Sequence, residues 1–139
     1  MDKYLKTESG YKTIETVTAG RPGEGYMSEI FNSYESDSNF YINKATGGYS
    51  HAEGVNTSAS GSGAHSEGSS TTASGYVSHA EGYGTTASGY ISHAEGYYTT
   101  AKRDYSHAEG YSTTASGNSS HAEGYKTTAS GYTSHTEGD

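Results

Sequence analysis

Residues 78–91 read SHAEGYGTTASGYI, and this stretch returns along the chain in register with itself. All seven histidines, His51, His65, His79, His93, His107, His121 and His135, are spaced by 14 residues. Glu53, Glu67, Glu81, Glu95, Glu109, Glu123 and Glu137 keep the same interval, as do Ala45, Ala59, Ala73, Ala87, Ala101, Ala115 and Ala129. A weaker period of seven divides each unit, because Ser-His-Ala-Glu-Gly-Tyr-x is followed by Thr-Thr-Ala-Ser-Gly-Tyr-x. A fixed period marks a repeat architecture and has to be read before any single residue.

Each half reads as a strand of about four or five residues at ~3.3 Å each, closed by a turn that glycine permits. Two halves make one coil. The fold class expected is therefore all-β: a parallel β-solenoid with 14 residues per coil. A helix is excluded by the glycines, threonines and serines in every unit, and collagen by the absence of glycine at every third position. The order within each unit is kept as well as its composition, which separates the chain from a low-complexity linker. Residues 45–139 supply seven coils, and residues 1–44 form an attachment or capping segment. Coils ~4.8 Å apart would give a rod ~33 Å long.

Alternation along a strand puts Ser78, Ala80 and Gly82 on one face and His79 and Glu81 on the other. Small residues suit the inside of so short a coil, so the expected core is Ala59, Ala73, Ala80, Ala87, Ala94, Ala101, Ala108, Ala115, Ala122 and Ala129. Histidine and glutamate then point outward. Only ten residues of the chain are Leu, Ile, Val or Phe, and the net charge is −8. Such a composition alone signals disorder. Alanine methyls bury little apolar area against an ordering cost of ~1–2 kcal/mol per residue, so partner chains are expected on the repeated outer face.

A His-x-Glu pair could serve as an acid and a base in a cleft. Seven equivalent copies along a rod define no unique pocket, so no catalytic residue and no enzymatic activity is expected. One coil offers a single histidine and a single glutamate, short of a zinc ligand set. No metal and no cofactor is expected on that count, although three chains around one axis would bring three histidines to one level. The histidines and glutamates are read as a structural ladder of hydrogen-bonded pairs that joins chains. Tyr83, Tyr97, Tyr111 and Tyr125 form a second ladder, and Tyr76, Tyr90 and Tyr132 follow the other glycine. These rows are expected to pack on one another or on an adjacent chain, with a host-surface glycan as the alternative contact for the first row. Thr86 and Ser88 and their copies raise a rival of another class, an ice-binding surface.

Eight Lys and Arg are outnumbered by sixteen Asp and Glu and form no stripe, so nucleic acid is not an expected partner. There is no cysteine, hence no disulfide. No apolar run approaches the ~18 residues of a membrane span, and MDKYLKTESG lacks the apolar region of a secretory signal. Neither membrane insertion nor export by that route is expected.

The repeats ASGYVSHAEGYGTTASGYISHAEG resemble the head repeats of YadA-type trimeric autotransporter adhesins, and SHAEG-repeat appendage proteins of bacteriophages and Gram-positive bacteria. The resemblance covers about residues 45–139. The related adhesin motif is Ser-Val-Ala-Ile-Gly, on which Ser78, His79, Ala80, Glu81 and Gly82 fall in order. It implies a left-handed parallel β-roll with three chains wound about one axis, a homotrimer. His and Glu in place of Val and Ile are the departure, and a polar contact has to be hydrogen-bonded to be tolerated. The lead-in SEIFNSYESDSNFYINKATGGYSHAEG resembles the segment before SHAEG repeats in phage-type structural proteins. The resemblance thus implies a virion or extracellular appendage, joined to other appendage proteins through residues 1–44; a bacterial adhesin head at the cell surface is the alternative.

In residues 1–44, Tyr11–Thr18 have the β-branched content of a strand and Arg21-Pro-Gly-Glu-Gly reads as a turn or hinge. Ile30, Phe31, Tyr34, Phe40 and Ile42 would either cap the first coil or belong to a tether that orders on docking. Two coils deviate: Ala64-His65-Ser66 exchanges two small residues, and Arg103 replaces a turn glycine, reading as a tolerated turn variant ahead of a receptor-binding patch.

Overall fold

The structure is a computed structural model that describes residues 43–139 in full and, before them, the strands β1 (Lys3–Thr7), β2 (Gly10–Ile14), β3 (Arg21–Pro22) and β4 (Glu29–Asn32). Beyond these, each coil carries one strand from each half of the repeat. The Thr halves give β5 (Lys44–Ala45), β7 (Ser58–Ala59), β9 (Thr72–Ala73), β11 (Thr86–Ala87), β13 (Thr100–Ala101), β15 (Thr114–Ala115) and β17 (Thr128–Ala129). The His halves give β6 (His51–Val55), β8 (His65–Ser69), β10 (His79–Tyr83), β12 (His93–Tyr97), β14 (His107–Tyr111), β16 (His121–Ala122) and β18 (His135–Thr136). Each set stacks in parallel with like residues in register, His79 against His93 and Ala87 against Ala101. The result is a parallel β-solenoid with 14 residues per coil, as the period requires. Among the described residues no helix is long and apolar enough to cross a membrane.

The two halves differ in a way the sequence reading did not anticipate: the His half gives strands of up to five residues, the Thr half strands of two. The cause is where the N–H groups go. The N–H groups of Ser74 and Gly75 both donate to the Ala87 carbonyl, at 2.9 and 3.3 Å. The same sharing occurs at Thr46/Gly47, Ser60/Gly61 and Ser116/Gly117, whereas the Arg103 N–H goes to Ser106 Oγ instead; in each case the chain leaves the ladder and turns. The Ser78 N–H then closes the turn on the Gly75 carbonyl at 3.3 Å, with Val77 at φ +49°. That third turn position is occupied at successive levels by Tyr49, Gly63, Val77, Ile91, Tyr105, Ser119 and Thr133, all at positive φ. β-branched residues are strained there, so the turn is imposed by the stack rather than chosen locally.

Among the described residues the interior contains no fully buried side chain larger than threonine. All ten expected core alanines are buried, joined by Ala45, Ala52 and Ala64. Beside them run two hydroxyl columns. Where a serine precedes the histidine, at every coil but that of Ala64, it turns its Oγ onto the carbonyl three residues before it, as Ser78 does to Gly75 and Ser92 to Gly89, both at 2.8 Å, and Ser106 to Arg103. The threonines of the other column fare differently. Thr57, Thr85, Thr99 and Thr113 each bury an Oγ1 with no partner. In the coil with the Ala64/Ser66 exchange, Ser66 Oγ and Thr71 Oγ1 lie 2.8 Å apart and satisfy one another. Asn43 occupies the same column below Thr57, where its carboxamide accepts from the Thr57 N–H (3.0 Å) and donates to the Gly54 carbonyl (2.7 Å).

A buried hydroxyl without a partner is destabilising by about 1–3 kcal/mol. Replacing Thr85, Thr99 and Thr113 with valine is therefore expected to stabilise the chain by ~1 kcal/mol per site. Thr71→Val, which strips Ser66 of its partner, is expected to do the opposite. Thermal melts of the four variants check this; equal shifts at Thr71 and Thr85 would contradict it.

Before the first full coil, β4 pairs in parallel with β6, Ile30 opposite Ala52 and Phe31 opposite Glu53. β3 pairs antiparallel to β4, Pro22 opposite Glu29. The His-bearing sheet is thereby carried two strands past β6 into the N-terminal segment. Arg21 and Pro22 belong to a strand and not to the turn read from sequence; a proline is tolerated there because a terminal strand need not donate on its outer side. β1 and β2 form a separate antiparallel pair, with Leu5 opposite Lys12. Tyr34, Phe40 and Ile42 lie outside the described residues.

Arg103 occupies a turn-glycine position, and the turn is kept. The Arg103 N–H donates to Ser106 Oγ at 3.2 Å, and the next residue, Asp104, accepts the Tyr90 N–H on Oδ1 at 3.0 Å. Both residues act within the stack, as a turn variant does.

Candidate functional site: the histidine–glutamate face

The outward face of the longer sheet carries every histidine in one file and the glutamates in a second file beside it. In-register stacking places like side chains one coil apart. The rings from His65 to His135 stack nearly parallel, with centroids 4.7–4.8 Å apart. His51 differs, meeting His65 edge-on at 4.9 Å and 81°.

Within a coil the histidine Nε2 approaches the glutamate Oε2 at 3.3 Å for His51–Glu53, His65–Glu67 and His93–Glu95, and at 3.7–3.8 Å for His79–Glu81, His107–Glu109 and His121–Glu123. His135 is nearer to Glu123 of the coil before, at 3.5 Å, than to Glu137 at 4.0 Å. The hydrogen-bonded ladder expected from sequence is met by geometry at His51, whose Nε2 pairs with Glu53. The Nε2 atoms of His65, His79, His93, His107 and His121 are shielded from solvent and have no hydrogen-bond partner. At His79, His107 and His121 the carboxylate oxygen lies beyond hydrogen-bond reach, and at His65 and His93 the 3.3 Å approach lacks hydrogen-bond geometry.

These surroundings disfavour the imidazolium. Desolvation lowers the His65 pKa, and His79 and His51 lower it further, against Glu67 and Glu53, which act to raise it. Desolvation likewise lowers His93, assisted by His107 and opposed by Glu95, Glu81 and Glu109. At His65 and His93 burial thus favours the neutral ring.

The glutamates and the backbone next to them line an open groove that includes Glu95, Glu109, Gly110, Glu123 and Gly124. It is shallow, and nothing in it pairs an acid with a base against a confined space. The tyrosines form their own file: Tyr83, Tyr97, Tyr111 and Tyr125 stack at 5.0–5.1 Å. Tyr98 abuts Tyr83 and Tyr97 edge-on, and its hydrogen bond to Tyr83 pushes its phenol pKa up. Ring faces that cover one another leave only edges to a flat ligand. Tyr76 and Tyr90 stack at 5.2 Å in the second file, where Asp104 follows in place of a third tyrosine. On the opposite sheet Ser58, Thr72, Thr86, Thr100, Thr114 and Thr128 form an outward file, but Lys102 interrupts the serine file next to it.

Sequence reasoning placed these side chains on one face, yet it counted ligands one coil at a time. Consecutive coils bring His65, Glu67 and His79 together, and likewise His107, Glu109 and His121. The in-register period was the signal that could have found them. No protein-family model matches the chain, and no curated protein matches it.

Proposed function

We propose that the chain is a non-enzymatic structural rod: a homotrimeric, left-handed β-roll segment of a phage or phage-derived appendage that acts as a stiff spacer and contributes to contact with a host surface. One observation carries the multi-chain reading. Among the described residues the fully buried side chains are alanine, serine and threonine alone, while the large side chains stand outside in repeating files. A single chain with that interior gains little from apolar burial. An outer face that repeats in register offers the same contact to a partner at each coil. The number three, the handedness and the virion setting rest on the SHAEG-repeat resemblance. The solvent-shielded histidine nitrogens without partners mark the His–Glu face as the one that gains most from an adjoining chain,.

A stiff spacer needs no pocket, and the open acidic groove suits neither catalysis nor a small ligand. The Tyr83 file would meet a glycan by its edges and hydroxyls. Lys102 and the two-residue width of the Thr sheet disfavour the ice-binding reading. The test is the mass of the particle in solution, with three chains per particle expected.

A further inference from the structure

One donor atom from each of His65, Glu67 and His79 lies within 4.8 Å of the other two, and the same holds for His107, Glu109 and His121. Two imidazoles and a carboxylate are the donors a borderline divalent ion such as Zn²⁺ prefers, and three protein ligands plus water complete a tetrahedron. We propose that these two triplets are divalent-cation sites of the zinc class, each built by two consecutive coils of one chain.

Several observations converge on this. The Nε2 atoms of all four histidines are shielded from water and lack a hydrogen-bond partner. Each is already close to a carboxylate oxygen, His65 to Glu67 at 3.3 Å and His107 to Glu109 at 3.7 Å. An ion at ~2.1 Å from each donor requires donors nearer one another than 4.8 Å. The rings close that gap by tilting. His51 shows that a ring can stand at 81° to its neighbour within the same file, and the imidazoles of His65, His79, His107 and His121 are each more than one-third exposed.

Repulsion sets the number of ions. Two doubly charged ions one coil apart would stand at the ring spacing of 4.8 Å and repel strongly. The two triplets are three coils apart in register, with His93 between them. The third cluster, Glu123, His135 and Glu137, has one imidazole and is more exposed, which makes it the weakest. All donors of a site come from one chain, so the proposal holds whatever number of chains assembles.

The test uses the full chain, stripped with a chelator, dialysed against Zn²⁺ at neutral pH, freed of excess metal and assayed by elemental analysis. Two zinc ions per chain are expected. The fourfold variant H65Q/H79Q/H107Q/H121Q leaves no two histidines adjacent and is expected to retain none, with affinity lowered at least ~10-fold. The complementary variant H51Q/H93Q/H135Q keeps both proposed pairs and is expected to retain two. Equal retention by both variants, or less than one zinc in the parent chain, would overturn the proposal. Should the fourfold variant not fold, Co²⁺ in the parent chain decides: strong visible bands of a four-coordinate, nitrogen-ligated site are expected, and the weak spectrum of a hexa-aqua ion would refute it.

Discussion

Alanine at Gly96 is expected to break the rod in the middle. A Cβ there would sit 2.2 Å from the Gly110 carbonyl oxygen, and Gly96 holds φ +109°, where L side chains are rarely found. The neighbouring atom is backbone, so relief requires two coils to separate by about an ångström and to stretch the ladder that joins them. Strain in φ alone costs ~1–3 kcal/mol. With the clash added, the loss should exceed ~4 kcal/mol, in the range reserved for named structural failures. Because each coil touches only its neighbours, the damage divides the solenoid instead of spreading evenly. Gly131→Ala is the matched control, since a Cβ there would meet only the Ser134 side chain, its Cβ at an ordinary 3.4 Å and its Oγ at 3.7 Å. Melting curves followed by circular dichroism should show the Gly96 variant lost at temperatures where the Gly131 variant is folded. A melting temperature for Gly96→Ala within two or so degrees of the parent would contradict the coil spacing on which the fold rests.

Acid is expected to loosen the chain beginning near pH 6.5, the ordinary histidine value. His65 and His93 have pKa values lowered in the fold, chiefly by desolvation. As pH falls the unfolded chain takes up protons first, so stability is complete above pH 6.5 and declines until the folded-state pKa values are passed. Stacking adds to the effect. Two imidazolium rings at 4.8 Å repel by ~0.9 kcal/mol even at the dielectric constant of water, and the file holds six such contacts in sequence. Glu53, Glu67, Glu81, Glu95 and Glu109 oppose the shift, which softens it until the carboxylates themselves neutralise. Melts between pH 8 and 5 in the presence of a chelator should fall steadily, and H65Q/H93Q should flatten the curve. A parent curve flat over that range would show that His65 and His93 are not held neutral by the fold.

The period of 14 was enough to read the coil, the parallel register and the alanine interior, because all three follow from spacing and strand alternation. What spacing could not supply was direction. His79 and Glu81 share a face, but whether the ring nitrogen meets the carboxylate depends on the side-chain conformations, which leave them 3.7 Å apart. The same limit applies to the threonine column: Thr85 looks equivalent to Thr71 in sequence, yet only Thr71 faces a serine. The short Thr-half strands end where the following N–H groups turn out of the ladder, onto a shared carbonyl as at Ser74 and Gly75 or onto a hydroxyl as at Arg103, a feature of the turn that no residue type announces. Arg21 and Pro22 read as a turn because proline and glycine adjoin there, whereas pairing with β4 draws them into a strand. Legibility was greatest where the repeat multiplied a signal and least where a single contact decided the outcome.

The proposed rod requires chains joined along the His–Glu face. Light scattering on the eluting peak of the purified chain, at neutral pH, measures the particle mass without reference to shape. For a chain of 14.6 kDa the trimer is three times that, about 44 kDa, and a peak at that mass is the expected result. A peak at 14.6 kDa with the β-sheet signal intact would mean that the alanine-filled solenoid stands alone, and would contradict it.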